Sequence, residues 1–347
     1  PFCLERYEAS SLALENIKRM PPNSIGCVLE RVILIDTWLI NILPKLRIKK
    51  DCEVGDLTLN ASREEHVAGI LKQEKPFCVG RVKSMWLWGY AAGVITKMSL
   101  EDCEFEFLYL HANKEEHAAA VLEHDKAICV GRVKVMVLCE YAVGFVTKMS
   151  PEDCVAELLR LTASEEAHVA AVLGHKRKFC VGRVKRMELE DYAVSVLTKM
   201  SLEDCEFEKL RLIAEREEYV SVVLEHDKTI CVGRVKKMFL CEYAVSILTK
   251  MIIHEDNTME SLNVAAYGKE LSRILKEGDS SIDLGRIITD GFDVPEEIQR
   301  KLKYTLVDGE ASEVPKGRRL MLTCIYTDEE GNEVLEERSS QRGSRLE

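Results

Sequence analysis

The apolar positions of this chain recur as only a repeated unit makes them recur. Val82, Met85, Leu87 and Tyr90 return as Val133, Met136, Leu138 and Tyr141, then as Val184, Met187, Leu189 and Tyr192, and again as Val235, Met238, Leu240 and Tyr243. Each step is 51 residues, and a self-similar period of that length marks a solenoid built by stacking identical units. The intervening columns vary. That of Trp86 holds Val137, Glu188 and Phe239, and that of Gly89 holds Glu140, Asp191 and Glu242.

Comparing the copies separates strand from helix. A helix through Val82 and Met85 would bury the residue four beyond each, yet those columns accept acids. The segment is therefore predicted to be a short strand of the form LxxLxL. From Tyr90 the apolar set changes to Tyr90, Ala91, Val94, Ile95 and Met98, the spacing of one helix face. The other half of the period follows the same rule. Phe105, Leu108 and Leu110 lead through Asn113 to a helix with Ala118, Val121 and Leu122. Their strand counterparts are Val54, Leu57 and Leu59; Ala156, Leu159 and Leu161; and Phe207, Leu210 and Leu212. Each half-repeat is predicted to be strand, then helix.

These residues resemble the leucine-rich-repeat family, whose signature is LxxLxLxxNxL, and within it the longer strand-plus-helix class typified by ribonuclease inhibitor. The resemblance implies an α/β horseshoe solenoid with a parallel concave β-sheet and convex helices. At the position where the family's Asn bonds neighbouring backbones, this chain departs from the pattern. It carries Tyr90, Tyr141, Tyr192 and Tyr243 in one half, and Ser62, Asn113, Ser164 and Glu215 in the other. The expected organisation is a helical N-terminal cap over 1–26, a solenoid over 27–290 and a C-terminal cap over 291–347. Four clean double repeats fill 52–251, with degenerate units on each side. Met259, Leu262 and Val264, then Leu284 and Ile287, read as two further units with altered register, and 296–302 as a short helix. In the C-terminal cap, Leu320, Leu322, Cys324 and Tyr326, a DEEGNE turn, then Val334 and Leu335 predict a β-hairpin, followed by a polar tail.

Composition narrows the function. Apolar residues at 46% supply a continuous core, and the net charge of −11 opposes nucleic acid or an anionic membrane surface as partner. The apolar run 32–43 contains Asp36 and Asn41 and is too short and too polar to span a bilayer. Of the 13 cysteines, nine, from Cys27 to Cys231, alternate steps of 25 and 26, one at the head of each strand. Disulfides between neighbouring coils are conceivable on distance. A column of small buried thiols is the expected state, and with no signal-peptide pattern a cytoplasmic location is expected. Zinc spacings and the motifs GxSxG, HExxH, Walker and GxGxxG are all missing. The chain therefore reads as non-enzymatic, with no catalytic residue, metal or cofactor expected.

Three patterns are candidates for a site. A basic stripe, Arg81 and Lys83, Arg132 and Lys134, Arg183 and Lys185, Arg234 and Lys236, is matched on the intervening strands by Glu104, Glu106, Glu157, Glu206 and Glu208. It is expected to form a ladder of opposite charges and not an anion site. The histidines His66, His117 and His168, continued by Tyr219, and a second set, His124, His175 and His226, come one per repeat and cannot converge on a metal. They are expected at helix surfaces or partly buried.

The third pattern is the outward x positions of the strands. Early repeats carry Trp86, Trp88, Phe107, Tyr109, His111, Val135 and Val137 there, and later ones Glu157, Arg160, Arg186, Glu188, Glu190, Lys209 and Arg211. Aromatics facing solvent are costly unless covered, and Trp and Tyr anchor interfaces. The expected partner-binding surface is Trp86, Trp88, Phe107, Tyr109, His111, Val135, Val137, Glu188 and Arg211, with a protein as partner. The net negative charge points to a basic target. Three other readings remain open: a cap or loop folding over the rings, a structural place in a large assembly through the convex helices, and an inhibitor resembling ribonuclease inhibitor.

Overall fold

The structure is a computed structural model, and it describes residues 2–5, 11–150, 155–226, 229–308, 323–327 and 333–337. Twelve strands form one sheet in which every pair is parallel. The sheet is open, with Phe2–Glu5 at one edge and Phe292–Asp293 at the other. Its strands follow one another in chain order, as they do when a solenoid adds coils. The fold is α/β, a repeat solenoid.

Within the clean repeats every strand of this sheet is nine residues long, for example Arg81–Gly89, Glu104–Ala112 and Arg132–Glu140. The LxxLxL reading holds in detail. Val82, Met85 and Leu87 are 1%, 0% and 0% exposed, and the register stacks them on Val54, Leu57 and Leu59. Two residues in succession between the first two apolar positions leave the core, so the pairing jumps from Val133–Ala156 to Val135–Leu158. Because neighbouring strands share this irregularity, it passes along the sheet without breaking register.

The return legs differ from expectation. The segments Tyr90–Lys97, Tyr141–Lys148, Tyr192–Lys199 and Tyr243–Lys250 are 3-10 helices, while Glu115–Leu122 and its shorter counterparts Ala68–Leu71, Ala170–Leu173 and Ser221–Glu225 are α-helical. Length explains the difference. A nine-residue strand spans roughly 30 Å, and eight residues cover about 16 Å as 3-10 helix but only about 12 Å as α-helix. Where the return leg is short, the more extended helix closes the coil.

The invariant CVGR turn has a similar cause. Gly131 sits at φ 66°, and a Cβ there would lie 2.4 Å from the Cys103 carbonyl oxygen. That same oxygen accepts the Arg132 N–H at 3.2 Å and locks one coil to the previous one.

The ends depart from the sequence reading. At the N-terminus the cap region contributes the strand Phe2–Glu5 to the sheet, ahead of the helix Ser11–Arg19, so the sheet starts earlier than the cap boundary at 26 suggests. Near the C-terminus the sheet divides. Ser261–Ala265 continues the main sheet, whereas Ile282–Ile288 pairs instead with Thr258–Met259 and with Leu302–Val307 in a separate three-stranded parallel sheet. The predicted helix near 296 is Glu296–Gln299, and the strand after it carries parallel stacking beyond residue 290. The hairpin forms from Thr323–Thr327 and Glu333–Glu337, paired antiparallel. Leu320, Leu322 and residues 338–347 of the tail lie outside the described residues.

Candidate functional site: the open face of the sheet

Outward side chains on successive parallel strands line up in rows that cross the sheet. The middle row runs Thr58, Trp86, Tyr109, Val137, Arg160, Glu188, Arg211 and Phe239. A second row contains Trp88, His111, Cys139, Thr162 and Glu190, and a third contains Ser84, Phe107, Val135 and Leu158. All nine residues expected to form the binding surface lie in these rows.

The structure brings five of them into one ring cluster. Trp86 lies 4.5 Å from Phe107 and 5.2 Å from Tyr109 between ring centroids. Trp88 lies 4.8 Å from Tyr109 and 5.0 Å from His111, edge-on to the latter. Phe107 and Tyr109 are nearly coplanar in orientation, 8° apart. All five are half-buried, chiefly against one another, which leaves ring faces and edges toward solvent. Burial pushes the Tyr109 hydroxyl up, with the Cys139 thiol adding to the effect, and burial pulls His111 down. Both are neutral at physiological pH. This end of the face is an uncharged aromatic platform.

The other four residues play different parts. Val135 extends the platform, but Val137 is only 8% exposed and serves as floor. Glu188 is 7% exposed and already engaged. Arg160 donates to its Oε2 from Nε and Nη2 at 2.9 and 2.7 Å, and Arg211 Nη1 lies 3.8 Å away. Arg211 also reaches Glu190 at 3.7 Å and lies over the Phe239 ring at 5.5 Å. Glu188 and Arg211 thus pair within the chain and, with Arg160, tie three neighbouring strands together through their side chains.

The charge stripe forms a ladder only in part: among the described residues Arg81, Arg183, Lys185 and Lys236, and the acids Glu157 and Glu208, make no ion pair. Lys83 pairs with Glu53, Arg132 with Glu104, Lys134 with Glu106 and Arg234 with Glu206, at 3.4 to 3.8 Å and largely exposed. Such pairs contribute a few tenths of a kcal/mol each.

The first histidine column is more buried than the sequence suggested. His66, His117 and His168 are 0%, 4% and 6% exposed. Each packs edge-on against an aromatic ring of the preceding coil: Trp38 with His66, Tyr90 with His117 and Tyr141 with His168, and Tyr192 with Tyr219 continues the series. This aromatic series stands at the departed ladder position. The second set, His124, His175 and His226, lies nearer the surface, as expected.

Sequence reasoning missed a lysine series. Lys97, Lys148, Lys199 and Lys250 donate from Nζ to the carbonyls of Gln73, His124, His175 and His226, at 2.8 to 3.0 Å. Lys45 does the same to Met20 at 2.7 Å. The invariant TKM triplet was the available signal. The described members of the cysteine column carry free thiols, and among them only Cys103 is buried and Cys180 is exposed. Cys154 lies outside the described residues.

Among the described residues no three His, Cys, Asp or Glu side chains form a metal-binding group, and no helix is long and apolar enough to cross a membrane. No protein-family model, curated protein or solved structure matches the chain.

Proposed function

We propose that this solenoid is a non-enzymatic scaffold or adaptor of the leucine-rich-repeat kind that binds a protein partner on the open, concave face of its sheet in the cytoplasm. One observation carries the reading: a contiguous, uncharged platform of Trp86, Trp88, Phe107, Tyr109 and His111 on two neighbouring strands. A rigid sheet holding large amphipathic rings in fixed relative positions gives contact area at little entropic cost. The Arg160–Glu188–Arg211 network fixes the adjoining surface. An inhibitor that covers an enzyme's active site is a narrower form of the same reading.

Affinity capture from native extract, comparing the wild type with a Trp86→Ser, Trp88→Ser variant of unchanged circular dichroism, tests it. A specific protein retained by the wild type and lost by the variant is the expected result. Two of the chain's three tryptophans sit on the platform, so the recovered partner should also shift the intrinsic fluorescence on titration. Equal recovery by both proteins would move the working surface to the convex helices and favour a structural role in an assembly.

A further inference from the structure

The outward rows are mostly balanced in charge. Acid and base alternate at the heads of the strands, and in the middle row Glu188 stands between Arg160 and Arg211. One row is not balanced. Register places Phe107 beside Val135, Val135 beside Leu158, Leu158 beside Arg186, Arg186 beside Lys209 and Lys209 beside Lys237. Three apolar side chains are followed without interruption by three cations. Like charges directly opposite on neighbouring strands are destabilising, and relief is slight. Lys237 reaches Glu260 at 3.6 Å, but Arg186 and Lys209 make no ion pair among the described residues, nor do Glu157 and Glu208 in the adjacent row.

Resting on the concave-face reading above, we propose that this row docks an acidic peptide segment of the protein partner. The segment lies across the strands with an apolar or aromatic side chain over Phe107 and Val135, Leu158 at 9% exposed serving as floor, and two or more carboxylates over Arg186, Lys209 and Lys237. The local row, not the net charge of −11, sets the sign of the ligand, because charges more than about 8 Å from the contact are largely screened at physiological salt. Phe107 lies three strands from Arg186 and four from Lys209, which is roughly 14 to 19 Å. An extended peptide covers that span in about four to six residues, which sets the spacing between anchor and acids. A single-stranded nucleic acid fits less well. Its charge recurs at every nucleotide, whereas the cations occupy one end of the row only, and the aromatic end of the row offers phosphates no cation.

Panning a random dodecapeptide library on the full chain tests the proposal. Enriched peptides are expected to carry an apolar or aromatic residue about four to six positions from two or more acids. Their affinity should fall about tenfold or more in Arg186→Ser and Lys209→Ser, and an Arg186→Glu, Lys209→Glu chain should instead prefer versions with lysine in place of the acids. Both serine variants remove like-charge repulsion, so they should melt no lower than the wild type, and each serves as the other's folding control. Peptides that need Trp86 and Trp88 but show no acid bias and ignore the serine variants would overturn the acidic-segment proposal while leaving the concave-face reading intact. Peptides indifferent to both sets of variants, or no enrichment, would sink both. A fluorescein-labelled oligothymidylate that outcompetes the peptides and is lost in the serine variants would replace the proposal with nucleic-acid binding.

Discussion

At the scale of single residues, two kinds of buried group set the pH response. Among the described residues neither ring nitrogen of His66 or His117 has a hydrogen-bond partner, and burial holds both rings below the usual histidine range, against the opposing pull of Asp36 and Glu116. Well above about pH 6.5 the rings are neutral whether the chain is folded or not, so no proton uptake separates the two states. As pH falls below that, the unfolded chain takes up protons that the folded chain resists, and stability drops. Melting temperatures measured between pH 7 and 5 should fall, and a His66→Phe, His117→Phe variant should flatten the slope; an unchanged slope would count against the burial. Asp191 behaves oppositely. Burial, with Glu215 and Glu190, pushes it up to about 6, so its cost grows as pH rises from about 4 to 6. It also sits at φ 56° in the column where Gly89 sits at φ 62°, a region other residues enter at about 1–3 kcal/mol. Asp191→Gly should therefore stabilise the chain at pH 7 in urea titrations. Glu140 shares the strain but accepts Ser164 N–H and Oγ–H at 3.2 and 2.9 Å, so glycine there should gain less.

At the scale of elements, the lysine series acts as a clamp between coils. Lys148 Nζ binds the carbonyl of His124, just beyond the helix Glu115–Leu122, where the negative end of the helix dipole also favours a cation. Lys148→Met should cost about 1–2 kcal/mol, the lower part of the range for charged hydrogen bonds because solvent reaches the pair. Successive lysines are two strands apart, about 10 Å, far enough for near-additive losses. Chemical denaturation of a Lys97, Lys148, Lys199 and Lys250 to Met variant should show about four times the single loss, and a much smaller sum would make the clamp incidental. Strand positions, alternation and the half of the charge ladder that forms were legible in the sequence because each is a local period compared across copies. The clamp was not, since a lone lysine after an apolar helix looks like solvent decoration. Nor was the 3-10 form of Tyr90–Lys97, which depends on the length of strand to be spanned and not on the apolar spacing. The full burial of His66, His117 and His168 was not legible because their covering rings come from the preceding coil, 27 or 28 residues earlier.

At the scale of the whole molecule, the solenoid makes distance along the face a function of repeat number, and that turns the binding proposal into a ruler. The row of Phe107, Val135, Leu158, Arg186, Lys209 and Lys237 was hidden in the sequence because it crosses two half-repeats of different spacing and needs the register to assemble. Removing residues 154–204, one full period, joins Asp153 to Cys205 and restores a native EDC sequence at the seam. Two strands, Val155–Ala163 and Arg183–Asp191, leave with it. Each coil touches chiefly its neighbours, so the shortened chain should still unfold cooperatively, at a lower midpoint. Val135 then adjoins Lys209, and Phe107 stands two strands from the first cation instead of three. The span shrinks to roughly 10 Å, and peptides selected on the shortened chain should carry acids about three residues from the apolar anchor. Trp86, Trp88, Phe107 and Tyr109 keep their places. Selected peptides that keep the original spacing would mean the cations are not read together with the rings, whatever else the face binds.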